Sequence, residues 1–431
     1  MQVLSRLTRS SLARDTMHLS IGQGLRLIIQ AAYFVLIARS LGPRAYGAFA
    51  AIVALTAVFA PFANMGTTNL FIRDVRSGKR EAVTCWGNGL LITFLFGSLL
   101  TVVVLIVNRL FHLKTSSFIV LAVCISDLIF MKITDLAAFG FAASNRMKET
   151  SIQSVVVGLL RLMAIGILVL TSHSVSLSEW VWAYLATGIF GTVYAAYRGT
   201  TLWGRPKLQL ASLREDLSEG LFFSISTSAT SIYNDVDKIM LGRLSDFAST
   251  GIYSAAYRLI DVSMTPVRSL VSAAYPIFFK KGVNGIGATY PFAKSLISKA
   301  SIYGAVISLG LWIGAPILPA VLGKQYILAV PALRLLAPIP LLRCFHIFLA
   351  DSLSGAGYQR IRTGIQVSIG VINVVANLFV LPRFSWRGAA WTSIACDGLL
   401  VVVFWSVSDY LFRRDAPRDG GRILPNPQST T

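Results

Sequence analysis

Long apolar runs, broken by short polar segments that contain Arg and Lys, recur along the whole chain. A helix crosses a bilayer with roughly 20 mostly apolar residues. Twelve stretches meet that requirement, at 16–38, 45–68, 84–108, 117–142, 151–171, 177–198, 218–242, 250–272, 299–322, 328–353, 363–382 and 388–411. The segments between them are short. The longest, around 273–298, has room for an interfacial helix and for no folded domain. Two predicted helices carry a polar stripe. In 16–38 it is Thr16, Ser20, Gln23, Arg26, Gln30 and Tyr33, and in 218–242 it is Ser224, Ser228, Ser231, Asp235 and Lys238. Spacings of three and four place each set on one side of its helix. Hydroxyl stripes can join helices in lipid. The charged members fit a water-filled cleft between two lobes better.

The chain also repeats. Arg39-Ser-Leu-Gly-Pro-Arg-Ala-Tyr-Gly47-Ala-Phe49 and Arg243-Leu-Ser-Asp-Phe-Ala-Ser-Thr-Gly251-Ile-Tyr253 keep one Arg-to-Gly spacing at an offset of 204. Pro61 and Pro266 follow at nearly the same offset, each inside the next predicted helix, and Ser20, Gln23 and Gln30 shift onto Ser224, Thr227 and Asn234. An even number of spans per half gives a parallel repeat about an axis along the membrane normal. The expected fold is an all-α integral membrane protein, with 12 transmembrane helices in two six-helix bundles around a central cleft. Residues 1–15 are a cytoplasmic N-terminal lead-in, 16–198 an N-lobe, 199–217 a cytoplasmic linker, 218–411 a C-lobe and 412–431 a cytoplasmic tail.

Composition supports this class. The chain has 431 residues, 55% hydrophobic and 13% charged, against about 25% charged in a soluble domain. That excludes a soluble globule, a disordered chain, a coiled coil and a disulfide-rich module. The 39 Lys and Arg against 19 Asp and Glu give +20, which in a soluble protein points to nucleic acid. Here the basic residues sit in short clusters between apolar runs, with no basic-aromatic domain, so no nucleic-acid partner is expected. Of the loop Lys and Arg residues, 23 fall on one side and 8 on the other, which places both termini in the cytoplasm. The four Cys and four His are scattered without metal-ligand spacing, and no metal site is expected.

Eight basic residues remain inside the predicted spans: Arg26, Lys132, Arg161, Lys238, Arg258, Arg268, Arg334 and Arg343. Acids lie inside these spans too, among them Asp127, Asp135, Asp235, Asp237, Asp261, Asp351 and Asp397. Each charge at the bilayer centre costs roughly 2.5–3.5 kcal/mol on the lenient insertion scale. They must therefore pair, snorkel or face water. Lys132 with Asp135, and Arg258 with Asp261, can pair within one helix. Arg334 and Asp351 lie near span ends and can snorkel. Arg26, Arg161 and Arg343 have no carboxylate within a helical turn, and Arg268 is one heptad from Asp261. Unpaired guanidinium groups at membrane depth suit an anionic ligand, since they hold phosphate bidentately. Asp235 and Asp237 either couple a proton or sodium ion or neutralise Lys238.

The run Asp237-Lys-Ile-Met-Leu-Gly-Arg243, followed by Gly251-Ile-Tyr-Ser-Ala-Ala-Tyr-Arg-Leu259, resembles the signature of polysaccharide-biosynthesis membrane proteins. Ala38–Phe49 resembles the same family's first loop and second span. These proteins are flippases of lipid-linked oligosaccharides, such as O-antigen repeat units. They belong to the multidrug/oligosaccharidyl-lipid/polysaccharide exporter superfamily, with the multidrug/toxin extruders and the lipid II flippase. The resemblance implies two bundles in a V and alternating access. It implies transport of an undecaprenyl-pyrophosphate-linked oligosaccharide from the cytoplasmic to the periplasmic leaflet of the bacterial inner membrane. It carries Arg26, Lys238 and Arg258 over as cleft cations. Arg161, Arg268, Arg343, Gln23, Gln30 and Asn234 complete the candidate substrate site. Asp235, Asp237 and Asp261 are the ion-coupling candidates, and Pro61 and Pro266 the hinge candidates. Twelve spans argue against the fourteen-span lipid II branch. The chain has no P-loop motif, so energy comes from an H+ or Na+ gradient or from product removal, with no cofactor. The expected partners are the lipid-linked oligosaccharide, membrane lipids, a polysaccharide polymerase and a chain-length regulator, around a monomer that is not an enzyme. The alternatives are an ion-coupled drug extruder and, with less support, a membrane polymerase or glycosyltransferase.

Overall fold

A computed structural model describes residues 2–110 and 115–415, with side chains from residue 24 onward except at 222, 226, 229 and 230. The regular elements among the described residues are all helical. They begin with α1 (Gln2–Ala63), α2 (Thr67–Arg76), α3 (Ala82–Leu110) and α4 (Ser117–Cys124), then a π-helical turn (Ile125–Phe130) that leads into α5 (Met131–Ala143). α6 (Met147–Thr171), α7 (Leu177–Trp203), α8 (Leu210–Leu244), α9 (Phe247–Ser263) and α10 (Thr265–Gly282) follow. The remaining helices are α11 (Ile286–Gly314), α12 (Leu318–Leu322), α13 (Ala329–Leu336), α14 (Ile339–Gly355) and α15 (Gln359–Asp415).

Seven of the described helical stretches are long and apolar enough to cross a bilayer. The protein is a multi-pass membrane protein. Those seven lie over nine of the twelve predicted stretches, because α1 and α15 each run through two. Gly42 breaks α1 at φ 70 and ψ 172, and Pro43 follows it. Glycine reaches that left-handed region without a Cβ clash. Ser385 breaks α15 at φ 52 and ψ −136. Its hydroxyl lies 2.7 Å from the Ser245 and Ser249 hydroxyls, which hold the strained backbone. The three other predicted stretches coincide with α7, α8 and α9–α10. A capping box between Ser176 and Glu179 starts α7.

The chain divides into two compact units. The first holds 1–257, 315–332 and 376–390, and the second 258–314, 333–375 and 391–431. In the first, Trp203 sits among Phe71, Trp86 and Phe141, with ring centroids 5.3, 5.4 and 5.1 Å away, and its indole N–H donates to Ser144. α1 and α8 pack along a seam of hydroxyls and glycines. Buried Ser224 and Ser228 donate to the Pro61 and Val58 carbonyls at 2.8 and 2.7 Å. Pro61 is in the last turn of α1, where carbonyls have no helical partner, so Ser224 satisfies an orphan acceptor. These two serines of the predicted cleft stripe therefore join helices. The turn itself comes after Pro61, at Met65 (φ 42) and Gly66 (φ 65).

The two repeat glycines meet. A Cβ on Gly47 would lie 1.8 Å from the Phe247 carbonyl oxygen, and one on Gly251 would lie 1.9 Å from the Pro43 oxygen. In the second unit α9 breaks at Met264, and Pro266 stands in the first turn of α10. Proline supplies no N–H to the helix ladder. Nearby carbonyls find other donors, since Tyr303 donates to Ser263 and Arg268 to Asp261, both at 2.7 Å.

Candidate ion and headgroup sites

In the first unit, one turn of α8 carries Asp235 and Lys238 on one side and Asp237 on another. Lys238 pairs with Asp235 at 2.5 Å and lies 5.4 Å from the centroid of Tyr257. Asp237 is 5% exposed. It accepts from the Tyr253 hydroxyl at 2.9 Å and from the Asn377 amide at 2.7 Å. A buried carboxylate is stable only with such donors. α9 supplies the phenol and α15 the amide, so three helices build this site. Tyr253 belongs to the repeat motif, and Asn377 stands one helical turn after Asn373 in an apolar run. That pair of amides was the available signal for it.

A second network surrounds Asp127, in the π-helical turn. π-Bulges often mark functional positions. Tyr184 donates to Asp127 at 2.6 Å and Thr56 donates at 2.9 Å. Arg161 donates to the Tyr184 hydroxyl at 3.0 Å and stacks 4.6 Å over its ring. Arg161 thus reaches a carboxylate through a phenol from another helix. Lys132 and Asp135 form their expected local pair at 2.8 Å.

Arg26 is exposed on α1 and makes no hydrogen bond or ion pair with a described residue. Gln30 and Asn234 are half-buried. The side chain of Gln23 lies outside the described residues, as does the tail from residue 416 onward.

In the second unit, Arg343 is buried rather than unpaired. Its Nε lies 3.5 Å from Asp397 Oδ2 and its Nη1 3.9 Å from Asp261 Oδ1. Asp261 also takes Arg268 at 3.2 Å. Arg258 therefore lacks the local Asp261 pair that its spacing suggested, and it makes no ion pair with a described residue. Asp351 is 2% exposed and pairs with Arg362 at 3.0 Å, so it does not snorkel. Arg334 donates to the Trp312 carbonyl and stacks on its ring at 5.0 Å. Among the described residues no group of His, Cys, Asp and Glu could hold a metal ion.

Residues 12–281 match the model of the family described as "Polysaccharide biosynthesis protein". The chain belongs to this family. It is 24% identical over 405 residues to the "Putative O-antigen transporter" of Escherichia coli (strain K12), covering 90% of this chain and 95% of that one. Its fold resembles that of an inward-facing multidrug resistance MATE family transporter of the MOP superfamily, with TM-score 0.73, 14% identity and 90% and 95% of the two chains covered. It also resembles that of the lipid II flippase MurJ in an inward closed conformation, with TM-score 0.72, 12% identity and 90% and 87% covered. Identities this low establish the fold alone. Arg26, Asp127, Arg161, Asp237 and Arg258 fall inside the segment that matches the polysaccharide biosynthesis family, while Arg343 and Asp397 lie beyond it.

Proposed function

We propose that this protein is a flippase that moves a polyprenyl-pyrophosphate-linked oligosaccharide across the bacterial inner membrane by alternating access. The likeness to the Escherichia coli protein named for O-antigen transport carries this reading, because it runs nearly end to end in both chains. Burying a pyrophosphate in hydrocarbon is prohibitive, so the transporter must replace its hydration with cations. Lys238, Arg161, Arg268 and Arg343 already have protein partners. The main burden of the headgroup falls on Arg26 and Arg258. Gln23, Gln30 and Asn234 contribute hydrogen bonds to it.

Asp237, held by Tyr253 and Asn377, is the leading coupling carboxylate, with Asp235 and Asp261 behind it, for H+ or Na+. Pro61 and Pro266 serve as hinges. The chain works as a monomer with twelve spans in lobes 16–198 and 218–411 and with cytoplasmic termini. It has no catalytic step of its own, and it delivers its lipid-linked cargo to a polymerase and a chain-length regulator.

The test is complementation of a strain that lacks its own repeat-unit flippase. Wild type restores surface polysaccharide. Arg26→Ala, inserted at wild-type level, loses at least tenfold, Arg26→Lys recovers part of it, and Arg258→Ala is impaired. Full activity of Arg26→Ala removes Arg26 from the site. Failure of wild type together with new resistance to cationic drugs replaces the flippase reading with an extruder.

A further inference from the structure

Five ionisable side chains of the second unit form one line of contacts, from Arg268 through Asp261, Arg343 and Asp397 to His346. The steps are 3.2 Å from Arg268 to Asp261, 3.9 Å from Asp261 to Arg343, 3.5 Å from Arg343 to Asp397, and 3.2 Å from Asp397 Oδ1 to His346 Nε2. Side-chain exposure falls along the line from 56% at Arg268 to 33% at Asp261, 10% at Arg343 and 2% at Asp397, with His346 at 10%. α9, α10, α14 and α15 each contribute. From α11 the nearby titratable group is Tyr303, whose hydroxyl is committed to the Ser263 carbonyl. Cys344 on α14 is a buried free thiol.

Two guanidinium groups and two carboxylates cancel. A neutral His346 leaves the line at zero net charge, and a protonated one brings it to +1. With Nε2 facing the Asp397 carboxylate, the neutral ring keeps its hydrogen there as donor, and Nδ1 is the atom that accepts a further proton. The Asp397 carboxylate and, behind it, the Arg343 guanidinium set opposite charges along the line that leads to the ring.

We propose that His346 and Asp397 form a proton-binding site in the second unit, with Arg343 as the fixed counter-charge and Asp261 with Arg268 as the accessible end. The site selects H+ over Na+. A sodium ion needs several oxygen ligands, and a guanidinium 3.5 Å from the carboxylate repels it. Proton binding stands on this geometry alone, whereas its use to drive transport rests on the flippase reading.

The experiment compares wild type with His346→Gln, each purified into nanodiscs, by dye-measured proton uptake as weakly buffered solution is stepped from about pH 8 to about pH 5. Wild type takes up one proton per chain more than His346→Gln. Asp397→Asn, which keeps the ring and removes its carboxylate, also takes up less than wild type, and it serves as the second variant if His346→Gln misfolds. Equal uptake by wild type and both variants overturns the site. In the complemented strain, polysaccharide export responds to external pH more strongly for wild type than for His346→Gln. A one-proton difference with equal pH profiles overturns the role in coupling. If wild type exports nothing, the flippase reading fails while the proton count still decides the site.

Discussion

The buried charges of this chain are held by partners from other helices, and the chemistry of each position follows from which partner it has. Tyr184 shows this most sharply. Its hydroxyl accepts from Arg161 and donates to Asp127, so one atom joins a cation and an anion that never touch. Tyr184→Phe removes both bonds and leaves a donor and an acceptor unsatisfied. The expected loss is ~1–3 kcal/mol of stability, measured as an earlier thermal transition in detergent. An unchanged transition means that water already serves Arg161 and Asp127. Some of this was legible in the sequence. Lys132 and Asp135 are three apart and pair as their spacing suggested. Arg258 and Asp261 have the same spacing and do not, because Asp261 lies against Arg268 and Arg343. Local spacing decides a pair only where no competitor arrives from another helix.

At the scale of elements, close backbone approach governs the α1–α9 contact. The repeat aligned Gly47 with Gly251 through an offset of 204. The fold places each against the backbone of the other's segment. With a Cβ at Gly47 falling 1.8 Å from Phe247 O, no larger residue fits without separating the helices. Gly47→Leu and Gly251→Leu should each lower stability by at least ~1–3 kcal/mol, the usual range for overpacking. Both should abolish complementation at normal membrane levels. Full activity of either variant would show that this contact is not needed in the transport cycle. The hydroxyl stripe on α8 follows the same logic. Its spacing was visible, but whether it faced water or a neighbouring carbonyl depended on where α1 packed. Ser224 and Ser228 bond to α1.

At the scale of the whole molecule, the segment that begins α8 is tied to the α2–α3 turn. Arg80 pairs with Asp216 and Glu215, Lys79 with Glu215, and Arg73 with Glu219. Asn88 exchanges hydrogen bonds with the Gln209 backbone, and its amide also reaches Asp216. The Lys79 ammonium, as donor, holds the Glu215 carboxyl below its usual range, and the Glu215 carboxylate raises Lys79. The contribution of Glu215 is complete above its unfolded value near 4.5 and is lost as pH falls through the depressed folded value. That of Lys79 is complete below 10.5 and is lost as pH rises through the raised folded value. The tie is therefore intact throughout the neutral range and is no physiological pH switch. Arg80 and Asp216 are only 9% and 6% exposed. Asp216→Ala should destabilise by less than the ~3–5 kcal/mol of a broken buried pair, because Arg80 keeps Asp74 and Glu215. It should also open residues 204–210 to limited proteolysis. An unchanged cleavage pattern would show that Asn88 and the backbone bonds hold the segment without the charges.

By itself the sequence determined the membrane class, the helical runs, the repeat and the family resemblance. Each of these rests on local quantities: apolar length against bilayer thickness, residue spacing and short motifs. Only the tertiary structure decided which charges were committed. Arg161 and Arg343 look alike in sequence to Arg26, yet they find Tyr184 and Asp397 while Arg26 finds no described partner. The partners are 23 and 54 residues away in the chain, and a buried charge is satisfied by whatever packing brings within about 3–4 Å.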